Sequence, residues 1–321
     1  MMWEAGTMVG EQIRLARPLG DGTSETVWVA DQLDWRKQVV VKFVTQGLPL
    51  NDFDALVGFI EAASEVAQIE CPRLVQTFDH GLTDDGVPYV VMELLQGESL
   101  EQRLKRGRIA PLETGKVVAQ VAEALQCVHA ADQVHAGIDP GSIFMCEGPA
   151  PPDVTLLNLG VASARAVRRT NSFLSPEQYM LKPADFRSDL WSLGAVAYQM
   201  LTGELPVDAK QRRNLKWDFT PPSEMWLSDI PDGIDGWFTR ALAKRSADRF
   251  DSVRQMADEF IALMPGMESA LSSDVDAPSQ GVDVGAHKVI AVGTPPVHEP
   301  PEEEDEDSLA VDEEVSIEVD D

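Results

Sequence analysis

The stretch VHAGIDPGSIFM at residues 134–145, followed by LLNLGVAS at 156–163 and SPEQ at 175–178, decides the fold. It sits between two segments of helical period. Upstream, from Pro111 to about His129, the apolar residues Val117, Val118, Val121, Ala124, Leu125 and Val128 recur at the spacing of one amphipathic helix. Downstream, in SDLWSLGAVAYQMLTGELP at 188–206, Leu190, Leu193, Val196, Ala197, Met200 and Leu201 repeat that spacing, with Gly203 as cap and Pro206 as stop. A last helical pattern runs from Ser252 to Met264. The first third differs: Ile13 to Val44 holds β-branched runs parted by turn residues at Gly20-Asp21-Gly22 and around Asp34. PYVVMEL at 88–94 reads as a buried strand followed by a turn at Gly97.

In their order and spacing these segments resemble the protein kinase family. LGDGTSETVWVA (19–30) resembles its glycine-rich loop and second strand, and VVVK (39–42) the strand whose lysine, here Lys42, reaches the nucleotide phosphates. CPRLV (71–75) is similar to the usual His-Pro-Asn-Ile-Val turn. PYVVMELLQGESL (88–100) looks like the strand leading into the hinge, with Met92 at the gatekeeper position and Glu93 after it. VHAGIDPGSIFM stands for the catalytic loop, LLNLG for the Asp-Phe-Gly segment and SPEQ for Ala-Pro-Glu; ADRF (247–250) supplies the arginine, Arg249, that in the family pairs with Glu177. The resemblance implies an α+β, bilobal kinase fold over 13–265, with a β-rich lobe at about 13–94 and a helical lobe at about 95–265. Residues 1–12 are then a short extension. Thr170, six residues ahead of Pro176, places the chain with the Ser/Thr branch, and its wording resembles bacterial members.

Phosphoryl transfer asks a protein to position two substrates and to neutralise charge with a carboxylate base, magnesium ions and a lysine. The resemblance assigns the base to Gly137, which has no side chain, and the lysine two residues on to Asp139, a reversal of charge. The metal-binding asparagine is Ser142 and the metal-binding aspartate is Asn158. Magnesium prefers ionised oxygen ligands, so these exchanges weaken its site. Loss of a positioned base alone lowers rates by ~10² to 10⁴. Glu25 replaces the third loop glycine, opposing phosphate by bulk and charge, and Val40 replaces the small alanine beside the adenine. Gly20, Gly22, Val27, Lys42, Met92 and Glu93 remain as positions that could hold ATP without strong magnesium dependence. Glu61 is the expected helix partner of Lys42, with Glu65 one turn late. His135, Leu159, Gly160, Glu177, Asp189, Trp191 and Arg249 match residues that hold the lobes and activation segment together. Ala136 replaces an arginine that reads phosphorylation, so Thr170 or Ser172, if modified, would turn to Arg165, Arg168 or Arg169.

Three function classes follow: a catalytically inactive kinase-like scaffold or regulator binding an active kinase, a substrate or another regulator; a weakly active kinase or nucleotide sensor; and a carrier for an acidic interaction tail. The net charge of −28 over 321 residues excludes nucleic acid as an expected ligand. Much of that charge lies after Pro265, where composition predicts disorder over 266–321 and where Val315, Ile317 and Val319 alternate at strand period. No apolar run reaches the ~18 to 20 residues of a membrane span, so a soluble, cytoplasmic protein is expected. Three scattered cysteines, Cys71, Cys127 and Cys146, predict free thiols in a reducing compartment, with no disulfide and no metal site.

Overall fold

Alternation of side chains along six antiparallel strands builds the first third of the chain, seen in a computed structural model that describes residues 3–19, 27–44, 53–147, 153–157, 172–225 and 227–264. The strands are β1 (Met8–Val9), β2 (Ile13–Pro18), β3 (Val27–Gln32), β4 (Lys37–Phe43), β5 (Thr77–Leu82) and β6 (Pro88–Glu93), ordered β1-β2-β3-β4-β6-β5. On β4, Val39, Val41 and Phe43 face one cluster with Ile13, Leu15, Trp28 and Tyr89. Val40 faces the other, against Val90, Met92 and the helix residues Phe59 and Ala63. That period of two sets Lys42 on the same face as Val40. The residues ahead of Ile13 join this sheet, since β1 pairs with β2 and Trp3 stacks on Phe43 with ring centroids 3.9 Å apart.

Helix α1 (Phe53–Ala67) packs on the sheet. Beyond β6 the chain turns helical, with α2 (Leu100–Leu104), α3 (Pro111–Ala130), α4 (Pro176–Tyr179), α5 (Phe186–Thr202), α6 (Ala209–Arg213), α7 (Ile234–Ala241) and α8 (Val253–Leu263). Pro111 starts α3, where its missing N–H costs nothing. Helix α5 is buried over nearly its whole length, its polar residues Ser188, Asp189, Ser192 and Thr202 included. Gly203 ends it at φ 80°, the left-handed cap expected from the sequence. A small second sheet is made of β7 (Gly97–Ser99), β8 (Ile143–Cys146) and β9 (Val154–Leu156), in that order. Gly97 therefore opens a strand rather than a turn; at φ 142° it lies against the Met145 carbonyl, where any Cβ would collide.

The bilobal α+β architecture, a β-rich lobe followed by a helical one, agrees with the reading from sequence. The free-thiol expectation does not. Cys71, in the segment between α1 and β5, is disulfide-bonded to Cys127 on α3, with Cα atoms 6.2 Å apart. The two are 56 residues apart in sequence, and the fold alone brings them together. Cys146 is the free one. Among the described residues no helix is long and apolar enough to cross a membrane. The tail at 266–321, with its strand-period residues, lies outside the described residues.

Candidate functional site

The site is organised by a buried carboxylate. Asp189, in the first turn of α5 and 0% exposed, accepts from the backbone N–H of His135 at 2.9 Å and of Ala136 at 2.8 Å, and contacts His129 Nε2 at 2.9 Å. Two charge-assisted bonds to successive N–H groups fix the backbone where the catalytic-loop-like stretch begins. Ala136 is held at φ 58°, a left-handed conformation that costs a residue with a Cβ roughly 1–2 kcal/mol. Gln178 Nε2 donates to its carbonyl at 2.7 Å. Ala136→Gly is therefore expected to raise stability by about 1 kcal/mol, read from urea midpoints; an unchanged or lower midpoint contradicts the strain.

His135 is buried, its Nε2 donating to the Leu157 carbonyl at 2.8 Å while Nδ1 accepts from the Gly137 N–H at 3.3 Å. Burial pushes its pKa down, in keeping with a neutral ring that gives one proton and receives one. The ring thus ties the loop to the strand end after β9. Gly137 offers no side chain to the space a proton acceptor would need.

Asp139 and Ser142 are engaged with each other. The Ser142 N–H donates to Asp139 Oδ1 at 2.9 Å, the Asp139 N–H donates to Ser142 Oγ at 3.0 Å, and that hydroxyl donates to the Asp139 carbonyl at 2.7 Å. Burial raises the Asp139 pKa, partly offset by the N–H groups of Ser142 and Gly141. The two positions form a closed local turn. Among the described residues no group of three or more His, Cys, Asp or Glu is gathered so as to hold a metal. Of the described residues here, Gly137 offers no ligand and the Ser142 hydroxyl that stands for an amide ligand is already engaged within its own turn.

Lys42 lies at the cleft, where burial lowers its pKa and the Asp139 carboxylate pulls it back up. Glu61 is not brought to it. Phe59 and Ala63 are the inward residues of α1, and a residue two positions from each points to the far side, so Glu61 is exposed. Glu65 instead accepts from Gln133 Nε2 at 2.9 Å. Lys42 lines an apolar slot of about 230 Å³ with Leu19, Val27, Val40, Met92 and Leu157, and Glu93 stands at its edge. Of the expected nucleotide positions, Val27, Lys42, Met92 and Glu93 thus meet. Gly20, Gly22 and Glu25 lie outside the described residues, as do Asn158, Leu159, Gly160, Arg165, Arg168, Arg169 and Thr170.

The structural pair is complete. Arg249 donates from Nη1 and Nη2 to the two Glu177 oxygens at 2.7 and 2.8 Å, and further to the Arg187 and Ala243 carbonyls. Ser188 Oγ adds a bond to Glu177 at 2.8 Å. Although the carboxyl is partly buried, the Arg249 and Ser188 donors hold the Glu177 pKa below its usual value. One residue escaped the sequence reading: Arg212, from α6, donates to Ser172 Oγ at 3.0 Å. Forty residues separate them, and no local pattern relates the two.

A family model described as protein kinase domain matches residues 13–267. The serine/threonine-protein kinase PknB of Mycolicibacterium smegmatis is 29% identical over 308 residues, covering 90% of this chain and 47% of that protein. The serine/threonine-protein kinase PrkC of Bacillus subtilis is 25% identical over 265 residues, 78% of this chain and 40% of that one. The chain thus spans under half the length of these relatives. Among solved structures, the kinase domain of PknI from Mycobacterium tuberculosis matches with a TM-score of 0.67 at 23% identity, covering 81% of this chain and 99% of that one.

Proposed function

From the premise that the chain belongs to the protein kinase domain family, we propose that it is a catalytically silent member that works by binding other proteins. The observation that carries this reading is the turn in which Asp139 and Ser142 satisfy each other beside a Gly137 with no side chain. A lysine and an asparagine at those places would face the phosphates and the metal. Here Ser142 is spent on the loop itself, and the Asp139 carboxylate is shared between the Ser142 N–H and the charge of Lys42. The frame around them, from Asp189 to Glu177 and Arg249, is retained, so the fold is kept while the chemistry is not. A protein of this kind signals through its surface, engaging an active kinase, a substrate or a regulator as scaffold or allosteric partner. Neither nucleic acid nor a membrane is a partner in this reading, and its place of action is the cytoplasm.

Incubation of the full chain with labelled ATP, general protein substrates and magnesium or manganese is the test. No incorporation above a mock preparation is expected. Incorporation that disappears in Lys42→Ala would sink the proposal.

A second reading, ATP binding without strong magnesium dependence, is favoured by the slot that gathers Val27, Val40, Lys42, Met92 and Leu157. Its volume of about 230 Å³ falls below the ~300–1,000 Å³ of usual ligand clefts, which favours weak occupancy. Thermal-shift titration with ATP, with and without magnesium, separates a sensor from a scaffold. A metal-independent shift lost in Lys42→Ala supports the sensor.

A further inference from the structure

We propose that the Cys71–Cys127 bridge is a reversible redox site, opened by small dithiols that reach Cys71 from an adjoining groove, and that its state sets how firmly the end of α1 is tied to α3. Cys71 stands four residues beyond Ala67, the last residue of α1, and Cys127 lies in the last third of α3. The bridge therefore joins the end of a helix in the β-rich lobe to a long helix of the other lobe. Both cysteines keep partial exposure. Cys71 also lines a groove of about 510 Å³ together with Val66, Glu70, Val75, Met92 and Glu93, wide enough for a small reagent to approach its sulfur. A disulfide that a reagent can reach is reduced more readily than one sealed in a core.

The exchange balances as follows. A thiolate of the dithiol attacks Cys71 Sγ and forms a mixed disulfide, while the Cys127 sulfur leaves as thiolate and takes a proton. The second thiol of the reagent then displaces Cys71. In sum the bridge gains two electrons and two protons to give two thiols, and the dithiol becomes a cyclic disulfide.

The consequence lies in what remains once the bridge opens. The links of this segment to the helical lobe then include the Glu65–Gln133 hydrogen bond, the Arg73 pairs with Glu123 and Asp153 whose carboxylates are exposed, and Ile69 packed against that lobe's core, with Leu74 and the backbone bonds to Leu156 beyond them. Exposed pairs hold weakly. Reduction thus loosens residues 65–72 ahead of the anchor at Leu74.

The test uses the full, folded chain equilibrated in graded ratios of reduced and oxidised dithiothreitol, then quenched, denatured and titrated for thiols. Of three cysteines two are bridged, so the count is expected to move from one at the oxidising end to three at the reducing end, reversibly and without denaturant. Amide exchange over 65–72 is expected to rise by about tenfold on reduction. Cys127→Ser is expected to show the faster exchange at every ratio. Three thiols at all ratios, opening only in denaturant, or unchanged exchange after opening each overturn the proposal. If Cys127→Ser does not fold, the thiol count and the exchange of the unmodified chain decide alone.

Discussion

Asp189→Ala is expected to lower the stability of the fold by about 3–5 kcal/mol, the range for stripping buried donors of a charged partner. The carboxylate is wholly enclosed and serves the His135 N–H, the Ala136 N–H and His129 Nε2 at once. Alanine leaves the buried His135 N–H and the half-buried Ala136 N–H without their acceptor, at a point where the chain is already in a left-handed conformation. Asp189→Asn keeps the shape but offers one acceptor oxygen for two N–H groups, and its own NH₂ then opposes a donor; its cost is expected to fall between wild type and alanine. Urea denaturation checks both, and a loss under about 1 kcal/mol for alanine would show that the loop holds itself. Combined with Ala136→Gly, the loss is expected to shrink, since the glycine no longer needs the bond to keep its angle.

The second large effect belongs to Arg249. Its side chain is 0% exposed and makes four hydrogen bonds, two of them to Glu177, while its guanidinium lies 5.1 Å over the Trp191 ring. Arg249→Met keeps the volume but leaves the Glu177 carboxylate with only the Ser188 hydroxyl as a side-chain donor and takes the guanidinium bonds from the Arg187 and Ala243 carbonyls, at an expected cost of about 3–5 kcal/mol. The pH dependence has a definite sign. The folded-state pKa of Glu177 lies below its ordinary 4.5, so the pair's stabilisation is present above that value and is lost as pH falls through the folded value. The gap between wild type and Arg249→Met is therefore expected to be widest near neutral pH and to narrow on acidification below about pH 4.5. Since the Glu177 side chain is 16% exposed, solvent tempers the pH term but not the loss of the buried donors. A gap that does not change with pH would place the cost in packing alone.

How much was legible in the sequence differs by element. The helices at Pro111–Ala130 and Phe186–Thr202 were readable because their apolar residues recur at helical spacing and their ends carry Pro and Gly. Lys42, His135, Glu177, Asp189 and Arg249 were readable because each stands at a fixed distance from a motif. Glu61 as the partner of Lys42 was not, since a shift of one or two residues on a helix turns a side chain to another face and spacing alone cannot resolve it. Gly97 was read as a turn residue, yet it begins a strand because its missing Cβ admits the Met145 carbonyl.

The order of residues alone determined the two-lobed succession of strands before helices and which residues stand at positions 137, 139 and 142, Gly137, Asp139 and Ser142. Those are properties of identity and local period. What only the tertiary structure decided are contacts between distant segments: the Cys71–Cys127 bridge, the Arg212–Ser172 bond, and Asp139 as the carboxylate acting on Lys42. Each depends on how separate elements meet, and chain spacing carries no record of distances across a fold.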